Sequence, residues 1–176
     1  MEYLDIYDEN RNFTGKKILR NKDMKLSDEW FTAIAESEIG NDTIFVSGRC
    51  GIDEFIKSGK FRERAEVTWR YEADAKGMPA DDVAQRMEEV MAVLKRAMEK
   101  NKLAILTGVY TGAGERNMIF YTRNIPAFGT TLNEALAPFE LLPLTIYTEK
   151  DPDWSEYGEM CQLRSDDVED MLEDEE

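Results

Sequence analysis

Three groups of residues in this chain have the types and spacing to do chemistry. The first is Gly112-Ala113-Gly114-Glu115-Arg116. A glycine-rich turn followed by arginine could cradle a phosphate or another anion between backbone N–H groups and a guanidinium. Gly112, Gly114, Glu115 and Arg116 would be the ligand-binding residues. The run lacks the Gly-Lys-Ser/Thr ending of a P-loop. The plainer reading is favoured: a hairpin turn whose glycines accept positive φ, followed by a solvated ion pair. The second group is Asp151, Asp153 and Glu156, close to Glu149. Clustered carboxylates can hold a divalent cation or share a proton. The plainer reading is favoured again: the Asp-Pro-Asp-Trp turn caps a helical turn and docks an aromatic. The third is the terminal run SDDVEDMLEDEE, residues 165–176. Asp166, Asp167, Glu169, Asp170, Glu173, Asp174, Glu175 and Glu176 carry eight negative charges with no base among them. They could dock on a basic partner or imitate nucleic-acid phosphate, or serve solubility alone.

The chain has no histidine. That removes the usual general base near neutral pH, the commonest metal ligand, and every Ser-His or Cys-His nucleophile pair. Catalysis would fall to carboxylates, lysine, tyrosine or an oxygen-bound cation. No cofactor is implied. Cys50 and Cys161 belong to no Cys-x-x-Cys pair and read as two reduced thiols. The net charge of −15 repels nucleic acid and suits a protein partner with a basic surface. No stretch approaches the length of a membrane span. The acidic opening MEYLDIYDEN lacks the layout of a signal peptide, so a cytoplasmic location is expected.

These groups must be positioned by elements whose pattern is clearest from Glu63 to Lys150. Ala65 to Ala73 alternates, with Val67, Trp69 and Tyr71 on one face and Glu66, Thr68, Arg70 and Glu72 toward water. After Gly77-Met78-Pro79, a helix is expected, with Pro79 at its first position and Asp81 and Asp82 in its first turn. Val83, Met87, Val90, Met91, Leu94 and Met98 form its apolar stripe. The methionines could make a partner groove, but core is the favoured reading. Leu103–Thr111 reads as an interior strand and Asn117–Arg123 as its hairpin partner. Thr130–Leu136 reads as a short helix capped by Thr130 or Thr131, and Leu142–Glu149 as a last strand. Trp154 and Tyr157 fall three apart, as in one helical turn.

Upstream, residues 28–37 fit either a helix or a strand. A hairpin of Trp30–Ser37 and Thr43–Cys50 is preferred, followed by a polar loop from Gly51 to Lys60. The domain organisation expected is an N-terminal arm or hairpin over residues 1–26, one α+β domain over 27–164, and an acidic flexible tail over 165–176. The order β-α-β-β-α-β predicts a ferredoxin-like antiparallel sheet with an extra N-terminal hairpin.

LDIYDENRNFTGKKILR resembles the first hairpin of Nudix hydrolases of the isopentenyl-diphosphate-isomerase type, but no Nudix box follows and no catalytic residue carries over. Several further features together resemble domain-of-unknown-function family 695 over about residues 30–160. They are Gly77-Met78-Pro79, the Gly108-to-Arg116 strand and turn, Phe120-Tyr121, and Asp151-Pro152-Asp153-Trp154 with Tyr157. That resemblance implies a fold and no activity. Such domains look similar to the regulator of RNase E activity B, which inhibits a ribonuclease by binding it.

The function expected is non-enzymatic: a regulatory or protein-binding domain. The alternatives are a carboxylate and metal-dependent hydrolase of phosphate esters, and a small-ligand sensor acting as a dimer.

Overall fold

Alternating strands with apolar residues on both faces need cover on both faces, and that requirement organises this molecule. The computed structural model describes residues 3–7, 13–19, 25–36 and 42–174, with side chains over 25–36 and 42–164. The chain begins with β1 (Tyr3–Tyr7) and β2 (Phe13–Leu19), an antiparallel hairpin within the expected N-terminal arm. Then come β3 (Trp30–Glu36), β4 (Thr43–Arg49), α1 (Asp53–Lys57), β5 (Glu63–Arg70) and α2 (Asp81–Glu99). They are followed by β6 (Ala104–Gly112), β7 (Glu115–Thr122), α3 (Ile125–Leu136), β8 (Leu144–Lys150) and α4 (Ser155–Asp174).

Six of these strands form one antiparallel sheet in the order β3-β4-β6-β7-β5-β8. The stretch from β5 to β8 keeps the expected β-α-β-β-α-β order along the chain. The preferred hairpin of residues 30–50 joins the sheet through β4 and widens it by two strands.

One core lies between the sheet and the pair α2 and α3. It buries Ala65, Val67 and Trp69 of β5, Met118 and Phe120 of β7, and Met87, Val90, Leu94 and Met98 of α2. The helix stripe is thus core, as its spacing indicates, and burying four such side chains stabilises by roughly 6–12 kcal/mol gross. Met91 stays half-buried at the edge of this layer. A second core fills the opposite face. There α1 and α4 cover Phe31, Ala33, Val46, Ile105, Ile119 and Tyr121 with Phe55, Trp154, Tyr157 and Met160. The space is tight: a Cβ on Gly48 would lie 2.2 Å from the Phe31 ring.

Several local expectations are corrected. The Gly51–Lys60 loop contains α1, because Phe55 is buried and packs against Phe61, ring centroids 5.7 Å apart and tilted by 59°. Helix α2 starts at Asp81 rather than Pro79, with Ala80 in an extended conformation before it. Helix α3 begins at Ile125, not Thr130. The Asn124 side chain accepts the Ala127 N–H at 2.9 Å, which makes Asn124 the cap, and Pro126 is tolerated in the first turn. The single turn expected at Trp154–Tyr157 is the start of a 20-residue helix whose backbone runs through the acidic stretch to Asp174.

Candidate functional site

The sheet is wider than the helices that cover it. On the α2 face, the side chains of β3 and β4 extend past the helix layer. Cross-strand pairing puts Trp30 opposite Arg49, Thr32 opposite Ser47 and Ile34 opposite Phe45, all on this face. Thr111 and Val109 of β6 continue the row. The wall beside them is α2, through Glu88, Met91 and Lys95, spaced three and four apart on one helical face. The result is a groove of about 720 Å³. Ile34 and Phe45, cross-strand neighbours, stand 59% and 46% exposed side by side on its rim.

Polar groups punctuate the groove. Arg116 is 9% exposed; its Nη1 lies 2.8 Å from Glu88 Oε1, and its Nε donates to Thr111 Oγ1 at 3.1 Å. Lys95 Nζ meets Asp28 Oδ1 at 3.1 Å, and the Trp30 indole N–H donates to the same oxygen at 3.1 Å. These two contacts, the indole first, hold the Asp28 carboxyl below its usual range. Both acidic partners, Glu88 and Asp28, are themselves largely exposed.

A largely buried ion pair ties the β3–β4 hairpin to α2 beside the groove. Arg49 is 2% exposed, and its Nη1 lies 2.8 Å from Glu99 Oε2 in the last turn of α2. The ladder between β4 and β6 ends at Gly48 and Gly108, beside the irregularity at Thr107. Past that point, side chains replace the strand. Arg49 donates to the Leu106 carbonyl at 3.1 Å, and Glu99 accepts the Leu106 N–H at 3.1 Å. Arg49 Nε also donates to the Ser27 carbonyl at 2.8 Å, and the guanidinium lies 5.2 Å from the Trp30 ring centroid. The pair therefore satisfies both backbone groups of Leu106 and ties β4 to α2.

The residues singled out from sequence are dispersed. Ala113 and Gly114 form a two-residue turn with φ of 52° and 80°. The Gly114 N–H donates to the Gly77 carbonyl at 3.2 Å, and the Gly114 carbonyl accepts the Tyr71 N–H at 3.0 Å, so the turn is occupied by its own chain. Glu115 faces Arg70 at 3.3 Å, whereas Arg116, one residue on, enters the groove. Gly112, Gly114, Glu115 and Arg116 do not converge.

Asp151 caps α4, accepting the Ser155 N–H at 2.9 Å and the Glu156 N–H at 3.1 Å. The Tyr121 hydroxyl donates to it at 2.6 Å. Burial pushes Asp151 up, but the Tyr121 hydroxyl and the two N–H groups outweigh it and hold the carboxyl below its usual value. Trp154 stacks on Tyr121 at 4.1 Å and donates to the Phe61 carbonyl at 2.8 Å. Asp153 is exposed. Glu156 is pushed up by burial, against the nearby Arg64 and the Tyr110 hydroxyl at 3.2 Å. Among the described residues no group of three or more Cys, Asp or Glu is placed to hold a metal ion. Asp166, Asp167, Glu169, Asp170, Glu173 and Asp174 lie along the backbone of α4; Glu175 and Glu176 lie outside the described residues.

Comparison with known families decides one question. The sequence profile of the family described as "Family of unknown function (DUF695)" matches residues 28–160. The chain belongs to this family. The DUF695 match spans both cores, the groove and the Asp151 cap, and begins after the β1–β2 hairpin. No curated protein and no solved structure matches the chain, so the likenesses to Nudix hydrolases and to the regulator of RNase E activity B gain no support. Among the described residues no helix is long and apolar enough to cross a membrane.

Trp30, Ile34, Phe45 and Lys95, which line the groove, and the Arg49–Glu99 pair beside it were not visible as a site in the sequence. The one signal was Arg49, a charge closing an otherwise apolar and small-residue strand.

Proposed function

We propose that this DUF695 protein is a non-enzymatic, cytoplasmic regulatory domain that binds a partner protein in the groove between α2 and the β3–β4 hairpin. The observation that carries this is a groove of about 720 Å³ with two large apolar side chains, Ile34 and Phe45, left exposed at its rim. Monomeric proteins seldom leave such groups together without use. The volume, the apolar floor and the few polar groups are those of a binding cleft. The occupant favoured is an apolar segment flanked by basic residues. A chain of net charge −15 attracts it, and Glu88 and Asp28, ion-paired with Arg116 and Lys95, stay largely exposed beside the groove. The lateral order β6-β7-β5-β8 supports the ferredoxin-like reading of the covered part of the sheet, with β3 and β4 as the addition that creates the groove.

The test uses a fluorescently labelled amphipathic peptide of leucine and lysine, with anisotropy as readout. Saturable binding that weakens at least tenfold in Phe45→Glu is expected, about 1.4 kcal/mol or more. Equal binding by both proteins would contradict the reading.

A further inference from the structure

The opposite edge of the sheet is open in a different way. Among the described residues strand β8 pairs only with β5, in an unbroken register from Leu144–Trp69 to Lys150–Glu63. The Arg70 N–H donates to the Pro143 carbonyl at 3.4 Å and the Asp151 N–H to the Arg62 carbonyl at 2.9 Å. Antiparallel bonding alternates, so odd-numbered residues of β8 bond to β5. The N–H and C=O groups of Ile146 and Thr148 point outward, as does the carbonyl of Leu144.

Proteins usually blunt such an edge with a proline, a bulge or an inward charge. Strand β8, LTIYTEK, has no proline and no bulge, and its only charges, Glu149 and Lys150, sit at its last two positions, leaving Leu144 to Thr148 uncharged. Three of the five large exposed hydrophobics among the described residues gather here: Leu141 fully exposed, Ile146 at 44% and Tyr147 at 57%. Beside Ile146, a second cavity of about 400 Å³ opens against α3.

We propose that β8 is a homodimer interface, pairing antiparallel with β8 of a second copy about a two-fold axis at Tyr147. In that register Ile146 lies opposite Thr148 of the second copy, so the outward groups of one strand meet those of the other. The charge pattern favours a second copy as the occupant. A chain carrying −15 repels itself, yet here no like charges face each other. Glu149 lies opposite Thr145, Lys150 opposite Leu144, and Tyr147 opposite its own copy. Glu149 is already neutralised by Arg64 Nη2 at 2.5 Å. The two sheets would join into one continuous sheet of twelve strands, and the groove at the far edge would stay open on each copy.

The test is light scattering coupled to size exclusion across a wide range of protein concentration. The full chain is expected at about twice its 20.3 kDa, reverting at low concentration. Thr148→Pro removes only an outward N–H and leaves the β5 ladder intact. Ile146→Lys supplies the charge that natural edges use. Each is expected to halve the mass while keeping the native circular dichroism, and Phe45→Glu is expected to remain dimeric. If Thr148→Pro fails to fold, Ile146→Lys decides. A monomer at every concentration would overturn the proposal. So would a dimer that survives Ile146→Lys, which would place the contact elsewhere.

Discussion

Removing the Glu99 carboxylate should be among the most damaging single changes in this molecule. Glu99→Ala leaves the Arg49 guanidinium, 2% exposed, without its counter-charge, and the Leu106 N–H without an acceptor. Breaking a buried pair from one side costs about 3–5 kcal/mol. In a chain of this size each kcal/mol lowers Tm by about 2–4 °C, so a fall of about 6–20 °C is expected. Replacing both partners is more discriminating. A buried ion pair can often be exchanged for apolar side chains at little cost. Here it cannot, because Arg49 and Glu99 also satisfy the carbonyl and the N–H of Leu106, where the β4–β6 ladder has ended. Arg49→Met with Glu99→Leu orphans two buried backbone groups at about 1–3 kcal/mol each. The double variant should therefore stay about 2–6 kcal/mol below the native protein. Urea unfolding followed by tryptophan fluorescence reads this, since Trp30 lies 5.2 Å from the Arg49 guanidinium. A double variant as stable as the native chain would refute the reasoning.

Three further outcomes follow from the geometry. Asn124→Ala removes the cap of α3 and should cost about 0.5–2 kcal/mol by urea titration. Gly48→Ala drives a methyl into the Phe31 ring, 2.2 Å away, and should cost about 1–3 kcal/mol; a neutral result would mean the ring can turn aside. Asp151 has a folded pKa below its unfolded value of 3.8, so its stabilising contribution is present above that value and is lost as pH falls through the lower folded pKa. The stability gap between the native chain and Asp151→Asn should thus be full at neutral pH and close under acid, as measured by urea midpoints at a series of pH values.

The parts legible in the sequence are those governed by local periodicity. The alternation of Ala65, Val67 and Trp69 gives β5 its buried face, and the three- and four-residue spacing from Val83 to Met98 gives α2 its stripe. The water-facing side assigned to β5 was only partly so, since Glu66 and Thr68 lie half-buried. Misreadings fell where a tertiary contact overrides local cues. Pro126 hid the first turn of α3, which a cap at Asn124 rescues, and Phe55 turns a polar stretch into a helix by entering the core. The groove was illegible because it depends on which strand lies beside which. Arg49 and Glu99 are fifty residues apart, and only the β4–β6 pairing brings them together. The residues with chemical promise failed to converge for the reverse reason. Successive strand residues face opposite ways, so Glu115 and Arg116 part company.

The most direct test of the binding groove is a titration of isotopically labelled protein with the leucine–lysine peptide, followed by amide chemical shifts. Saturating shifts confined to β3, β4 and the Glu88–Lys95 face of α2 are what the groove predicts. Shifts centred on α4, or none on β3 and β4, would contradict it.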